Sequence, residues 1–255
     1  MIEAMSQIVF LTCHPEMGRR RDRSILRDNQ AWAAQIVDHY RSHPHPSGTR
    51  FFHQTAEPAG RGEAGVRAGM ITAFGAAATA AGPEGTIMLL VGHGSEQMVD
   101  LAPAPALRVT EDAVRAAHRY IGNRRAAPDR HHPEAGDEVE ALVLLADAVR
   151  GRFNRLDLGT CNTGRGLGVT LCGSLMGLFD LASVRGLSGF LWSARVPRAE
   201  VADAPADAAG ANLMGMGITR DRATRPPQLY GYSIPAGEWW TGRRSHGPGM
   251  FSSPP

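Results

Sequence analysis

Lysine is absent from the 255 residues, so all 27 basic side chains are arginine. That excludes a phosphate loop of the Walker type, although the stretch "GTCNTGRGLG" is rich enough in glycine to suggest one; it also lacks the GxGxxG spacing of a dinucleotide site. Cysteine is scarce. The three residues Cys13, Cys161 and Cys172 are an odd number, and their spacings fit neither a zinc ribbon nor a CxxC redox pair, so no disulfide framework is expected. Apolar runs stop well short of the roughly 20 residues needed to span a bilayer, and the opening "MIEAMSQIVFLTCHPEM" lacks the basic, apolar, small-residue order of a secretion signal. A cytoplasmic protein without a membrane partner is the expectation. A formal net charge of +2 gives no field to attract nucleic acid, and the local cluster "GRRRDR" (residues 18–23) reads first as a solvated loop.

A hydrophobic content of 43% over this length is enough for one large core, and a single domain over residues 1–240 with a loose tail at 241–255 is the simplest division. Five short runs rich in Val, Ile, Leu and Phe read as strands: residues 7–13, 49–55, 85–92, 155–161 and 186–194, with a sixth candidate at 228–235. Segments with helical spacing lie between them, at 24–42 with Ser24 as N-cap, 65–81, 111–120, 137–150 and 168–181. Alternation of strand and helix predicts an α/β fold, an open and mainly parallel sheet of about six strands with helices on both faces. The near-continuous apolar character of "TIMLLV" fits a strand covered on both sides. In such sheets chemistry gathers beyond the carboxyl ends of the strands.

Two strand ends carry reactive side chains. "LLVGHGSEQMVD" (residues 89–100) closes an apolar run on Gly-His-Gly, and "LDLGTCNTGRG" (residues 156–166) closes another on Thr-Cys-Asn-Thr-Gly. A parallel sheet places His93 and Cys161 at one edge, and neighbouring strands would bring them close together. Gly92, Gly94, Gly164 and Gly166 permit sharp turns that expose backbone N–H groups. A free thiol has a pKa of about 8.5, and a helix beginning near Leu167 together with an imidazole would favour the thiolate. Acyl transfer further needs donors for an oxyanion, for which the N–H groups of Gly94 and Cys161 are candidates.

These two motifs resemble those of the caspase-like cysteine peptidases, with "TCNTGRG" most similar to the pattern of bacterial CHAT-domain proteins; "GLSGFLWSARVP" is similar to the strand that lines the substrate groove in that family. The resemblance follows the element order over roughly residues 5–240, and its specific part is about twenty residues. It implies a caspase-like fold and a cysteine endopeptidase acting on a peptide or protein substrate without metal or cofactor. His93 would be the general base or acid, Cys161 the nucleophile, and Gly94 with Cys161 the oxyanion donors. Substrate contacts would come from Arg19, Gly159, Thr160, Trp192 and Ser193. The family's enzymes that cut after basic residues carry an acid two positions before the cysteine, where this sequence has Gly159. An arginine in the loop after the first strand, as Arg19 is, would suit an acidic side chain. The loops at 121–136 and 195–221 would be cleavage sites or a lid.

Other readings stay open. The same acyl-enzyme chemistry serves an acyl transferase or ligase in a biosynthetic pathway. A non-catalytic binding domain would explain Gly159 and the lack of an evident third residue to orient His93. "VGHGS" is also similar to the strand end of sirohydrochlorin-type chelatases, which insert metal into a tetrapyrrole, although that reading leaves the Cys161 motif unused. Cys13 and Cys172 have no partner motif and read as core residues. His14, His131 and His132 form no complete ligand set and read as solvated. Trp239 and Trp240 read as a pocket cover or the close of a last strand, and Asp157 as a strand acid facing either a neighbour or solvent.

Overall fold

The computed structural model describes residues 7–42, 44, 48–127, 136–160, 163–164 and 166–187, together with the backbone strands Phe190–Ser193, Met216–Thr219 and Trp239–Arg243. The central sheet holds β1 (Gln7–Cys13), β2 (Arg50–Ala56), β3 (Thr86–Leu90), β6 (Arg155–Leu158), β7 (Ser183–Leu187) and β10 (Trp239–Arg243). Their spatial order is β2, β1, β3, β6, β7, β10. The first five run parallel, and β10 pairs antiparallel with β7. The expected α/β class and mainly parallel sheet are therefore present.

Alternation along β1 sorts the helices onto the two faces. Phe10 points to α1 (Arg23–Ser42), where its ring meets Trp32 edge-on at 5.2 Å and stacks on Phe51 at 6.1 Å. Its neighbours Val9, Leu11 and Cys13 point the other way, and the Cys13 thiol lies 3.6 Å from Met70 Sδ on α2 (Gly62–Ala81). That second face carries the main core. It is covered by α2, α4 (Asp137–Val149) and α5 (Gly168–Phe179), with α3 (Glu111–Ala126) packed against α4 and α5. Aromatic contacts of the Phe10 kind add about 0.5–1.5 kcal/mol each beyond the area they bury. Two buried strand faces account for the unbroken apolar run in β3, whose five residues are all buried.

Several expectations need correction. The run at 186–194 is not one strand: β7 ends at Leu187, and β8 (Phe190–Ser193) pairs with β9 (Met216–Thr219) in a separate two-stranded ribbon. The sixth strand of the sheet is β10 and includes Trp239 and Trp240, whereas residues 228–235 lie outside the described residues. Residues 241–243 thus belong to the sheet, not to a loose tail. Helix α3 runs on to Ala126 because Ile121 packs into the core, which removes 121–126 from the expected loop. Helix α1 begins at Arg23, one residue before the expected cap Ser24.

A hairpin that the strand reading passed over follows β3. Its strands β4 (Met98–Ala102) and β5 (Leu107–Thr110) pair antiparallel, with a register shift between Asp100 and Ala102. Val99, Leu101, Leu107 and Val109 fix it to the core. The prolines at 103 and 105 lie in its tip, where no ladder N–H is needed.

Candidate functional site

Strands β3 and β6 are neighbours, with Leu89 opposite Leu158, and the Gly159 N–H donates to Leu89 O at 2.9 Å. His93 follows β3 by three residues, and position 161 follows β6 by three. The two motifs therefore leave the sheet side by side at its carboxyl edge. Cys161 itself lies outside the described residues, as do Asn162 and Arg165.

His93 is held at both ends. Its backbone N–H donates to Asp100 Oδ2 at 3.0 Å, and its carbonyl accepts the Asp100 N–H at 2.9 Å. Asp100 is completely buried and also receives a two-pronged bond from Arg108, at 2.7 Å to Oδ1 and 3.2 Å to Oδ2. The bond to Asp100, more than any other influence, raises the Arg108 pKa above its ordinary value. Gly92 makes room for this arrangement, since a Cβ there would stand 2.9 Å from Asp100 Oδ2. At the ring, His93 Nε2 lies 3.2 Å from Asp22 Oδ1 in the loop after β1. The Asp22 side chain is only 13% exposed, against 46% for His93.

Gly94 forms an antiparallel bridge with Val99 whose hydrogen bonds use His93 O and Ser95 N. Alternation of the backbone directs the N–H of Gly94 away from β4, as an oxyanion donor requires. Of the four glycines expected to shape these turns, only Gly166 has a left-handed backbone, with φ of 54°. A Cβ on Gly166 would meet Glu96 Oε2 at 2.7 Å, so the loop after His93 touches the loop after Cys161.

The expected substrate contacts divide. Arg19 is exposed and lines an open cavity of about 330 Å³ between the short 3₁₀ turn Pro15–Met17, the loop after β2 and the tip of the β4–β5 hairpin. Gly159 is a packing glycine: a Cβ there would stand 2.3 Å from Leu90 Cδ2 and 2.9 Å from Leu89 O. No side chain fits, so Gly159 contacts a substrate through its backbone or not at all. Thr160 is 1% exposed; its hydroxyl donates to that of Thr163 at 3.5 Å, and its carbonyl accepts the Thr163 hydroxyl at 3.2 Å. Trp192 and Ser193 lie on β8, of which the backbone alone is described. A larger cavity of about 810 Å³ lies along α1 and the start of β2, at the opposite end of the strand from the His93 edge.

Two determinants escaped the sequence reading. Asp22 is the lone acid in "GRRRDR", and its sign in a basic run was the available signal. Gly186 on β7 lies under the cysteine turn, where a Cβ would come within 2.6 Å of Gly164 N and Thr163 C. The same turn is tied down from α5, for Cys172 Sγ donates to Thr163 O at 3.3 Å. Burial raises the pKa of Cys172, and burial followed by the charge of Glu57 raises that of Cys13, so both thiols stay protonated in the core as read.

Asp157 is buried, not at the surface. It meets Arg185 across β6 and β7 through bonds of 2.6 and 2.5 Å, with Arg155 Nε 3.4 Å away. Burial pushes its carboxyl up, but Arg155 and Arg185 outweigh that and hold it below the usual range. Among the described residues no group of three or more His, Cys, Asp and Glu side chains could hold a metal ion, and no helix is long and apolar enough to cross a membrane. Compared with known proteins, the chain matches no family model, no curated protein and no solved structure.

Proposed function

We propose that the protein is a caspase-like cysteine endopeptidase in which Cys161 is the nucleophile and His93 the general base and acid. The observation that carries this reading is the parallel pairing of β3 with β6, which brings the His93 and Cys161 motifs to adjacent strand ends. His93 takes the thiol proton, and the thiolate attacks the peptide carbonyl carbon. The N–H of Gly94, directed away from β4, and that of Cys161 stabilise the oxyanion. As the C–N bond breaks, His93 protonates the leaving amine; it then takes a proton from the water that hydrolyses the thioester, and the thiol is regenerated. These steps need no metal or cofactor. The partner is a peptide or protein.

Basic residues are not the preferred primary side chains. The acid that would recognise them has no room at Gly159, where Leu90 fills the space. Asp22 supplies the third group whose lack favoured a non-catalytic domain, which moves the balance toward turnover. Mass spectrometry of a diverse peptide library incubated with wild type and with Cys161→Ala tests the reading. Cuts made by the wild type alone are expected, few of them after Arg or Lys. A library left intact by the wild type would overturn the peptidase assignment.

A further inference from the structure

Asp22 immediately precedes α1, and its carbonyl accepts the Leu26 N–H at 3.1 Å as the helix begins. An aspartate in this place ordinarily turns its carboxylate back onto the free N–H groups of the first turn. Here Oδ1 lies instead 3.2 Å from His93 Nε2, on a residue 71 positions away. The loop is braced for this, since the Asp22 N–H donates to Arg19 O at 2.8 Å. Among the described residues, the charged groups near the pair include Arg21, whose Nε is 3.5 Å from Asp22 Oδ1, and Arg108 with Asp100 on the hairpin side; the charge of Asp22 contributes to the raised Arg108 pKa.

An ionised carboxylate only accepts hydrogen bonds, so the hydrogen in the 3.2 Å contact resides on Nε2. In a neutral imidazole the lone pair is then on Nδ1. The backbone of His93 is clamped to Asp100, so the ring swings toward Asp22 from a fixed anchor.

We propose that Asp22 is the positioning residue of the site: it holds the His93 proton on Nε2 and leaves Nδ1 as the atom that exchanges protons with the nucleophile. The assignment of that nucleophile rests on the peptidase reading; the Asp22 to His93 relation does not. In the reaction, Nδ1 accepts the Cys161 thiol proton to give an imidazolium, then returns a proton to the amine nitrogen as its bond to the acyl carbon breaks. Asp22 exchanges no proton in these steps, and its carboxylate stabilises the intervening cation.

The test is nuclear magnetic resonance on the full chain labelled with ¹⁵N-histidine and carrying Cys161→Ala, with the His93 signals assigned by His93→Gln. A hydrogen-bonded Nε2–H proton of His93, protected from solvent exchange, is expected, and it should vanish in Asp22→Ala while the rest of the amide spectrum is kept. Should Asp22→Ala fail to fold, Asp22→Ser serves in its place. Absence of that proton in the parent, or its survival without the Asp22 carboxylate, would overturn the proposal. On the intact enzyme, Asp22→Ala should lower kcat by about 10- to 100-fold, part of what general acid–base catalysis contributes, with KM little changed. A protected Nε2–H that depends on Asp22 in a protein that cuts no peptide would support the positioning role and sink the peptidase reading instead.

Discussion

Asp100 serves three donors at once: the His93 N–H and two nitrogens of Arg108. Its replacement by alanine leaves a backbone N–H and a half-exposed guanidinium without their acceptor. Asp100→Ala is expected to cost about 1–3 kcal/mol, read from urea unfolding, a range kept low because Arg108 can turn to water. Gly159 yields a second expectation. Gly159→Asp introduces the acid that caspase-like enzymes cutting after basic residues carry, yet its Cβ must displace Leu90 and approach a backbone carbonyl. Lost stability of about 1–3 kcal/mol should result, with no gain of cleavage after Arg or Lys; a stable variant that cuts there would refute the packing role. At this scale the strand ends that precede His93 and Cys161 were legible, because an apolar run stops at each of them. Asp22 and Asp100 were not, since an acid's partner is set by a fold that brings residues 22 and 93 together across the sequence.

Beneath the cysteine turn, β6 and β7 are joined by the buried pair of Asp157 and Arg185. Removal of one partner strands the other, so Arg185→Met is expected to cost about 2–4 kcal/mol, somewhat less than an isolated buried charge because Arg155 remains near Asp157. The folded carboxyl of Asp157 is held below its unfolded value of about 3.9. Its contribution is therefore complete above about pH 4 and is lost as the pH falls through the folded value. Urea midpoints should decline below about pH 4 more steeply in wild type than in Arg185→Met. A parallel decline would deny the pair its part in acid stability. Gly186→Ala pushes directly on Thr163 and Gly164, and should reduce catalysis at least about 10-fold through displacement of the turn. Unchanged turnover would mean that the turn tolerates the methyl group.

Elements were read best where period and burial agree. Strand β1 has the bounds expected of it, and α4 ends one residue from expectation, because an apolar run and an amphipathic stripe each specify one structure. The β4–β5 hairpin was hidden by the two prolines of its tip and by β4, which is buried on both faces from Val99 to Ala102; only Leu107–Thr110 alternates. The split between β7 and β8 was not legible in one continuous apolar run, since the change of sheet depends on pairing with Met216–Thr219.

Across the molecule, the strand order carries the functional argument. The order β2, β1, β3, β6, β7 places the loop of Asp22, the loop of His93 and the turn of Cys161 on three successive strand ends. Sequence alternation foretold a parallel sheet but not which strands adjoin, and adjacency of β3 and β6 is what a pair of catalytic side chains requires. Strand β10 was missed for a related reason: an antiparallel partner 52 positions from Leu187 leaves no local pattern. The most direct measurement is the rate at which a small alkylating agent modifies Cys161 at about pH 6, read by mass spectrometry in wild type and in His93→Ala. The buried Cys13 and Cys172 serve as internal controls. An activated pair makes Cys161 about 10- to 100-fold faster in wild type, because the imidazole maintains thiolate that an ordinary cysteine lacks at that pH. Equal and slow rates in the two proteins would contradict a functional pairing of His93 with Cys161.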